Sequence, residues 1–171
     1  GWEPKIDGWR MQIIRYPDGQ VELWGRRLER KPNWTEKLPM IVKAAQKVLP
    51  PGTLLDAELS TSRGRRFIPS LFATKRRIVP IVFIFDVIYL DSRFVGRRSL
   101  RERKALLKKI RWPAPFQPVE ARPVRSLEAH LRQALRHGHE GILLKAFSSP
   151  YLLARDGPMA TQHWRKVKAS R

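Results

Sequence analysis

The chain has 171 residues, 42% of them hydrophobic, which suffices for one globular core and excludes a disordered chain. Its 35 Lys and Arg residues against 15 Asp and Glu residues give a formal net charge of +20, which indicates a polyanionic partner, most simply nucleic acid. The absence of cysteine excludes disulfides, thiolate metal sites and cysteine nucleophiles.

The first half of the chain predicts mostly strands. An Asp-Gly turn at Asp18 and Gly19 separates two alternating segments, 9–15 and 20–25, and predicts a β-hairpin. Helical spacing over 38–48 stops at two prolines. The remaining predicted elements of this half are a strand over 53–59, a short helix over 66–73 and a buried central strand over 79–89.

The second half predicts two helices and two strands. The helix over 100–110 has a polar face crowded with Arg and Lys, and a proline-rich connection over 112–123 follows it. Ser126 is a plausible N-cap of a helix that runs to about His137. Strands over 141–146 and 164–168 complete an α+β domain with mostly antiparallel sheets flanked by helices.

The start of the chain predicts a fragment of a longer protein. Gly1 is not an initiator methionine, it leads directly into a predicted strand, and no secretory signal follows. No apolar run approaches the roughly 18 residues of a membrane span. An anionic membrane surface could also attract the charge, but no basic amphipathic helix is long enough to favour it. We therefore expect a cytoplasmic protein without a membrane partner.

The segment 2–10 contains the first candidate for chemistry. Lys5 is followed by Asp7, which strand alternation would place on the same side, then by Gly8 and Arg10. Gly8 permits either close approach of the backbone to a ligand or a positive φ. A lysine amine is a nucleophile in its neutral form, which arginine does not adopt in proteins. A hairpin start with surface charges is an equally good interpretation of this motif alone.

Two further motifs end apolar strands. Asp56 and Glu58 are two carboxylates at strand spacing, suited to a ribose hydroxyl or a hydrated divalent cation, although a solvated strand end is the simpler interpretation. Phe85, in the segment 83–90, could stack on a purine, although such a strand is more often simply core.

The last two motifs are acidic and basic strand ends. Glu140 could hold Mg²⁺ and Lys145 a phosphate, or both could be ordinary surface charges. Alternation places Lys166 and Lys168 on one face, a suitable pair for one phosphate, with Arg165 facing the other way. Alone, this basic stretch is typical of a solvated face.

The order of the five motifs resolves these alternatives. The series KxDGxR, DAEL, aromatic-Asp strand, EGxxxK and WxKxK resembles that of the covalent nucleotidyltransferases, which include DNA ligases, RNA ligases and mRNA capping enzymes. Several segments resemble the ATP-dependent DNA ligases, above all the ligase modules of bacterial end-joining enzymes. These segments are the opening motif, Gly64-Arg65-Arg66-Phe67 with Leu71, the segment 85–91 and Leu100-Arg101-Glu102-Arg103. The resemblance implies an adenylation domain over 1–171 with an ATP-grasp-like fold.

The resemblance also implies a role for each motif residue. Lys5 would attack the α-phosphorus of ATP and carry AMP, which then passes to the 5′-phosphate of a DNA nick before the 3′-hydroxyl seals it. The other implied roles are ribose binding by Glu58, ribose and phosphate binding by Arg10, adenine stacking by Phe85, metal binding by Glu140 with Glu58, phosphate binding by Lys145, Lys166 and Lys168, orientation of the active loop by Asp7, and reading of the adenine edge by Glu3. Mg²⁺ or Mn²⁺ would neutralise the phosphates.

Two departures from the family pattern concern the end of the chain. Ala154 stands where the family commonly has glycine, and the approach to Trp164 over 156–163 is longer than usual. The chain ends shortly after the WxKxK strand, so we expect the oligonucleotide-binding (OB) domain and its closing basic motif to be absent and the isolated domain to charge Lys5 slowly. Nicked duplex DNA and the missing OB domain are the expected partners of a monomer, at the nucleoid if the source is bacterial.

Two other functions remain open on the sequence. An RNA ligase or capping enzyme would use the same chemistry, and a non-catalytic basic nucleic-acid-binding domain would explain the charge. Only a few basic residues belong to motifs, so others are candidates for phosphate contacts with duplex DNA, with a merely solubilising surface as the alternative. These candidates are Arg26, Arg27, Arg30 and Lys31 and the helix residues 101–109.

Overall fold

The computed structural model describes residues 1–25, 32–73, 77–154, 157–158 and 164–168. The predicted helices and strands are all present in it, with ends displaced by one or two residues. The strands are β1 (Trp2–Lys5), β2 (Trp9–Arg15), β3 (Val21–Gly25), β4 (Thr53–Thr61), β5 (Pro80–Leu90), β6 (Arg93–Phe94), β7 (Phe116–Pro118), β8 (Gly141–Lys145), β9 (Leu153–Ala154), β10 (Gly157–Pro158) and β11 (Trp164–Lys168). The α-helices are α1 (Pro39–Val48), α2 (Ile68–Leu71), α3 (Leu100–Lys108) and α4 (Leu127–Arg136).

A six-stranded sheet carries the main core. Its strand order is β3-β2-β4-β5-β6, with β7 pairing β5. Alternate residues of the central strands, such as Ile13, Leu55 and Ile84, are fully buried together with Ile41 and Ala45 of α1. Because side chains alternate across a strand, the residues between them face the other side of the sheet. That second side carries Arg10, Glu58 and Phe85, so the core fixes the direction of three predicted site residues.

A three-stranded antiparallel sheet stands beside it, in the order β1-β8-β11. On one face Trp2 and Ile142 pack with Ala134 of α4. On the other face the register places Lys5 and Lys168 both opposite Gly141, and Glu3 and Lys166 both opposite Leu143. The central strand β8 therefore brings the first and the last motif of the chain onto one surface.

The β2–β3 hairpin and the cap of α4 are confirmed. The amide of Tyr16 donates to the carbonyl of Gln20 at 2.8 Å, and Gly19 has a φ of +93°, which a glycine adopts without steric cost. The hydroxyl of Ser126 accepts from the amide of Ala129 at 3.3 Å, as an N-cap does.

The proline-rich connection is more ordered than the sequence predicts. Residues 116–118 form β7, which pairs in parallel with β5 through Val82 and Phe116. The sheet is therefore antiparallel except at this edge. No helix in the described part of the chain is long and apolar enough to cross a membrane.

Candidate functional site

A cleft of about 350 Å³ lies between the two sheets. Its volume falls within the about 300–1,000 Å³ typical of small-ligand sites. Predicted site residues from all five motifs line it, and Glu140, which is outside the lining, contacts Lys5. The lining residues are Glu3, Pro4, Lys5, Ile6, Gly8, Arg10, Glu58, Phe85, Val119, Leu143, Lys145, Trp164 and Lys166.

Lys5 ends β1, where its amine forms an ion pair with the carboxylate of Glu140. The side chains are 17% and 25% exposed, so the pair is sheltered but open to a ligand. Partial burial works against ionisation of Glu140, but the hydrogen bond and charge of Lys5 outweigh it, and Lys168 adds to them. Together they hold the pKa of Glu140 below its usual value. Lys168 therefore acts on this carboxylate although it lies outside the lining of the cleft.

Gly8 allows the turn after β1 to pass close to β4. A Cβ on Gly8 would lie 2.3 Å from the carbonyl oxygen of Leu59 and 2.9 Å from Cγ of Glu58. Its φ is not in the left-handed region. The sequence analysis expected this glycine either to approach a ligand or to adopt a positive φ. The close neighbour is instead a strand of the protein itself.

Arg10 is held by Asp56 rather than by its register partner Glu58. Its Nε donates to Asp56 Oδ1 at 2.9 Å, Nη2 donates to Oδ2, and Tyr151 donates its hydroxyl to the same carboxylate. Burial works against the charge of Arg10, but Asp56 outweighs it and raises the pKa of the guanidinium. Arg10 also lies 5.2 Å from the ring centre of Phe85. A fixed cation therefore stands on the cleft wall.

Glu58 is a carboxyl group of the cleft whose pKa is raised well above its usual value. Burial raises its pKa to about 7; the nearby carboxylates Asp56 and Glu140 add to the rise, while Arg10 and Lys5 oppose it. At neutral pH a protonated fraction can donate a hydrogen bond, and the ionised fraction can accept one from a hydroxyl.

Phe85 and Trp164 form the aromatic part of the cleft. The amine of Lys145 lies 5.0 Å from the ring centre of Phe85 and 4.1 Å from that of Trp164, within the range of cation–π contacts. Phe85 is half-buried, whereas Val82 and Ile84 of the same strand are fully buried. The strand is core on one side, and its phenylalanine faces the cleft on the other.

Glu3 is buried between two lysines. Its carboxylate forms ion pairs with Lys145 and Lys104, and it is only 1% exposed. Burial alone would raise its pKa, but the two ammonium groups outweigh burial and lower it. The amine of Lys145, which the sequence assigned to a phosphate, is therefore already paired with Glu3.

The remaining predicted residues lie around or outside the cleft. Lys166 lines it, and both Lys166 and Lys168 are exposed on one face of β11, as predicted. Asp7 lies beyond the end of β1, so strand alternation does not set its direction; its carboxylate contacts Arg65 at 3.3 Å. The proposed DNA contacts Arg26, Arg27, Arg30 and Lys31 lie outside the described residues.

Helix α3 differs from the exposed basic helix that the sequence predicted. Arg103 is fully buried and donates to Asp86 from Nε at 2.7 Å and from Nη2 at 3.1 Å. Lys104 is largely buried and paired with Glu3. Because these two side chains are buried and paired with carboxylates of the protein, the prediction of phosphate contacts is wrong for them. Arg101, Lys108 and Lys109 are exposed.

A divalent cation fits this donor set only together with a ligand. No group of three or more His, Cys, Asp or Glu side chains capable of holding a metal occurs within the described residues. Magnesium commonly takes one or two protein carboxylates and completes its shell with phosphates and water. Glu140, with Glu58 close enough to sense its charge, can supply such carboxylates.

Two residues of the site, Tyr151 and Trp164, had no role predicted from the sequence. Asp56 was predicted as one of two candidate carboxylates, but not as the partner of Arg10. The i, i+2 spacing of Asp56 and Glu58 was the available signal, since it puts both on one face. The sequence carries no comparable signal for Tyr151, which is 95 positions from its partner Asp56.

Comparison with known proteins agrees with this geometry. The model of the ATP dependent DNA ligase domain family matches residues 1–168. A DNA ligase of Archaeoglobus fulgidus is 31% identical over 186 residues, covering 98% of this chain and 31% of the relative. A probable DNA ligase of Kineococcus radiotolerans is 33% identical over 177 residues, covering 97% of this chain and 33% of the relative. The chain thus spans about a third of the length of these relatives.

Among solved structures, a mycobacterial DNA ligase D complexed with ATP and MES has the same fold. The TM-score is 0.72 at 21% identity, and the match covers 98% of this chain and 54% of that one. Because the family model matches nearly the whole chain, the protein is a member of the ATP-dependent DNA ligase domain family and corresponds to the adenylation domain of these enzymes.

Proposed function

We propose that this domain catalyses the nucleotidyl-transfer chemistry of an ATP-dependent DNA ligase, with Lys5 as the residue that carries AMP. The observation that supports the proposal is the single cleft shared by Lys5, Glu58, Arg10, Phe85 and Lys166. A nucleophile, a hydroxyl-binding carboxyl, two cations and an aromatic ring are the groups needed to bind AMP beside an amine. A non-catalytic DNA-binding domain has no need for this constellation.

Three displacements at phosphorus make up the reaction. In the first, the neutral amine of Lys5 forms a bond to the α-phosphorus of ATP and releases a proton to solvent, the bond from that phosphorus to the bridging oxygen breaks, and pyrophosphate leaves. In the second, an oxygen of the 5′-phosphate at a DNA nick attacks the same phosphorus, and the Lys5 nitrogen leaves and regains a proton. In the third, the 3′-hydroxyl attacks the 5′-phosphate, loses its proton and expels AMP.

The residues of the cleft contribute mainly position and charge to these steps. We assign the purine to Phe85, the ribose hydroxyls to Glu58, and the phosphate to Arg10, Lys166 and Lys168. Glu3 and Lys145 belong to the purine end, and Asp7 to the loop that follows Lys5. Glu140, with Glu58, is the proposed metal-binding group, and Mg²⁺ or Mn²⁺ would neutralise phosphate charge. The cation would also compete with the Lys5 ammonium for Glu140.

We further propose that the chain is one domain of a longer ligase that includes an OB domain. The support is the share of the relatives' length that it covers, about a third. Nicked duplex DNA is the proposed substrate, contacted by Arg26, Arg27, Arg30 and Lys31. The proposed form is a monomer, and the proposed location is the cytoplasm, at the nucleoid if the source is bacterial.

Labelling with ATP tests the assignment of Lys5. The chain is incubated with ATP labelled at the α-phosphate and Mg²⁺ or Mn²⁺, and the label is followed on a denaturing gel and by intact mass. We expect a mass increase of one AMP on the wild type and on the control Lys108→Ala, whose side chain is 78% exposed. Lys5→Ala is expected to take no label, and equal label on both proteins would contradict the proposal.

Sealing of a pre-adenylated nick tests the later steps without the first one. We expect slow sealing by the wild type with Mg²⁺, and faster sealing of nicked DNA than of nicked RNA. Preference for RNA, or for GTP over ATP in the labelling reaction, would favour an RNA ligase or capping enzyme. Tight DNA binding without label, nucleotide binding or sealing under any metal would identify a non-catalytic nucleic-acid-binding domain.

A further inference from the structure

Lys104 is a buried lysine of α3 with three acceptors from three different parts of the chain. Its amine donates to the carbonyl of Phe85 in β5 at 2.7 Å and to that of Val119 at 2.6 Å. It also forms an ion pair with the carboxylate of Glu3 in β1. The side chain is 13% exposed, so these contacts replace nearly all of its hydration.

The three partners share one property: Glu3, Phe85 and Val119 all line the cleft, whereas Lys104 lies behind them and does not. Phe85 is the ring assigned to the purine, and Glu3 holds the amine of Lys145 next to that ring. The ammonium group of Lys104 therefore contacts β1, β5 and the segment after β7 at the end of the cleft that contains Phe85. Lys5 pairs with Glu140 and Arg10 with Asp56, so the positions of these two cations do not depend on Lys104.

Charge balance does not require Lys104. Lys145 already gives Glu3 one counter-ion, and its side chain is fully buried beside that carboxylate. A second buried ammonium leaves the group of three with an excess positive charge, and burying such a charge is costly. In agreement, burial lowers the pKa of Lys104, with Glu3 opposing the change. An ammonium group has three N–H donors, which matches the three acceptors that Lys104 contacts. Contact with all three acceptors therefore explains a lysine at this position.

We infer that Lys104 is a positioning residue that sets the shape of the purine end of the nucleotide cleft. The inference rests on the proposed function, because that function assigns the purine to Phe85. Without the amine, the carbonyls of Phe85 and Val119 and the carboxylate of Glu3 lose their common donor. The part of the cleft wall that includes Phe85 can then shift, whereas the residues assigned to the ribose and the phosphate keep their own contacts.

The test compares two ligands that differ only in the base. AMP and ribose 5-phosphate are titrated into wild type, Lys104→Met and the control Lys108→Met, with ribose 5-phosphate measured by competition against labelled AMP. Lys104→Met keeps the side-chain length and leaves Glu3 paired with Lys145. We expect its AMP affinity to fall about tenfold and its ribose 5-phosphate affinity to change less than about twofold. Lys108→Met, one helical turn away and exposed, is expected to match wild type for both ligands.

The ratio of the two affinities separates positioning from folding. A partly unfolded variant loses both affinities by the same factor, so an equal loss for both ligands, or no loss, would overturn the inference. Lys104→Arg keeps the charge but spreads its donors over a planar fork, and we expect an intermediate selective loss of AMP affinity. If Lys104→Met does not fold, this variant supplies the same comparison, and an unchanged ratio overturns the inference. A wild type that binds no AMP contradicts the proposed function instead.

Discussion

Glu58→Gln is expected to change how the stability of the domain depends on pH. Burial raises the pKa of Glu58 from 4.5 to about 7 in the folded state. At about 1.4 kcal/mol for each tenfold change in proton affinity, this rise corresponds to roughly 3 kcal/mol. The folded protein binds this proton more tightly than the unfolded chain does. The contribution to the free energy of unfolding is therefore complete below pH 4.5 and is lost as the pH rises to about 7.

The measurement is urea unfolding of wild type and Glu58→Gln at several pH values between about 4 and 8.5. Other titrating groups contribute equally to both proteins, so their effects cancel in the difference. We expect wild type to lose up to roughly 3 kcal/mol relative to Glu58→Gln between the two ends of this range. Glu128→Gln, a glutamate of α4 whose side chain is 83% exposed, is the control and should show no such trend.

The outcome that would refute the reasoning is a difference between wild type and Glu58→Gln that stays constant with pH. Glu58 would then ionise as an ordinary surface glutamate, and the crowding of carboxylates around it would have no energetic effect. A change of opposite sign would mean that Arg10 and Lys5 outweigh burial. Either result would remove the argument that Glu58 can act as a hydrogen-bond donor near neutral pH.

Three further predictions concern the core, the turn after β1 and DNA binding. Arg103→Met should lower the free energy of unfolding in urea by about 3–5 kcal/mol, because Asp86 is left as an unpaired buried charge. Combining it with Asp86→Leu should recover most of that loss, and a double variant as unstable as the single one would contradict this account. Gly8→Ala should cost about 1–3 kcal/mol, since its Cβ would collide with the backbone of Leu59, and an unchanged urea midpoint would show that the turn can move. Affinity for duplex DNA should fall at least about tenfold between roughly 50 and 200 mM salt, and a flat dependence would count against phosphate contacts.

The strands and helices could be predicted because each has a local signal. Alternation over β2 and β4 sets which side chains enter the core, and the Asp-Gly turn sets the hairpin between β2 and β3. The same alternation correctly grouped Lys166 with Lys168. The short strand β7 has no such signal: three residues after several prolines show no periodicity, and only the partner β5 gives them a register.

Side-chain partners from distant positions could not be predicted in the same way. Arg103 follows Leu100 by three positions and precedes Leu107 by four, so helical spacing places it on the apolar face. Nothing local, however, identifies the partner of Arg103 or of Lys104. Their burial follows from Asp86 and Glu3, which reach α3 only after the sheets have formed. For Arg10 the sequence named no protein partner, and the guanidinium reaches Asp56 rather than Glu58, which is opposite it in the register.

The architecture also explains why the motifs are scattered along the chain in a fixed order. The chain starts in the three-stranded sheet with Lys5, crosses to the six-stranded sheet for Arg10, Glu58 and Phe85, and returns with β8 and β11. Lys5, the proposed nucleophile, thus comes from one sheet with Lys166 and Lys168, whereas Glu58 and Phe85, assigned to ribose and purine, come from the other. Because the cleft exists only where the two sheets face each other, a change that separates them should weaken nucleotide binding even when every motif residue is intact. Lys104, which joins β1 to β5, is such a connection.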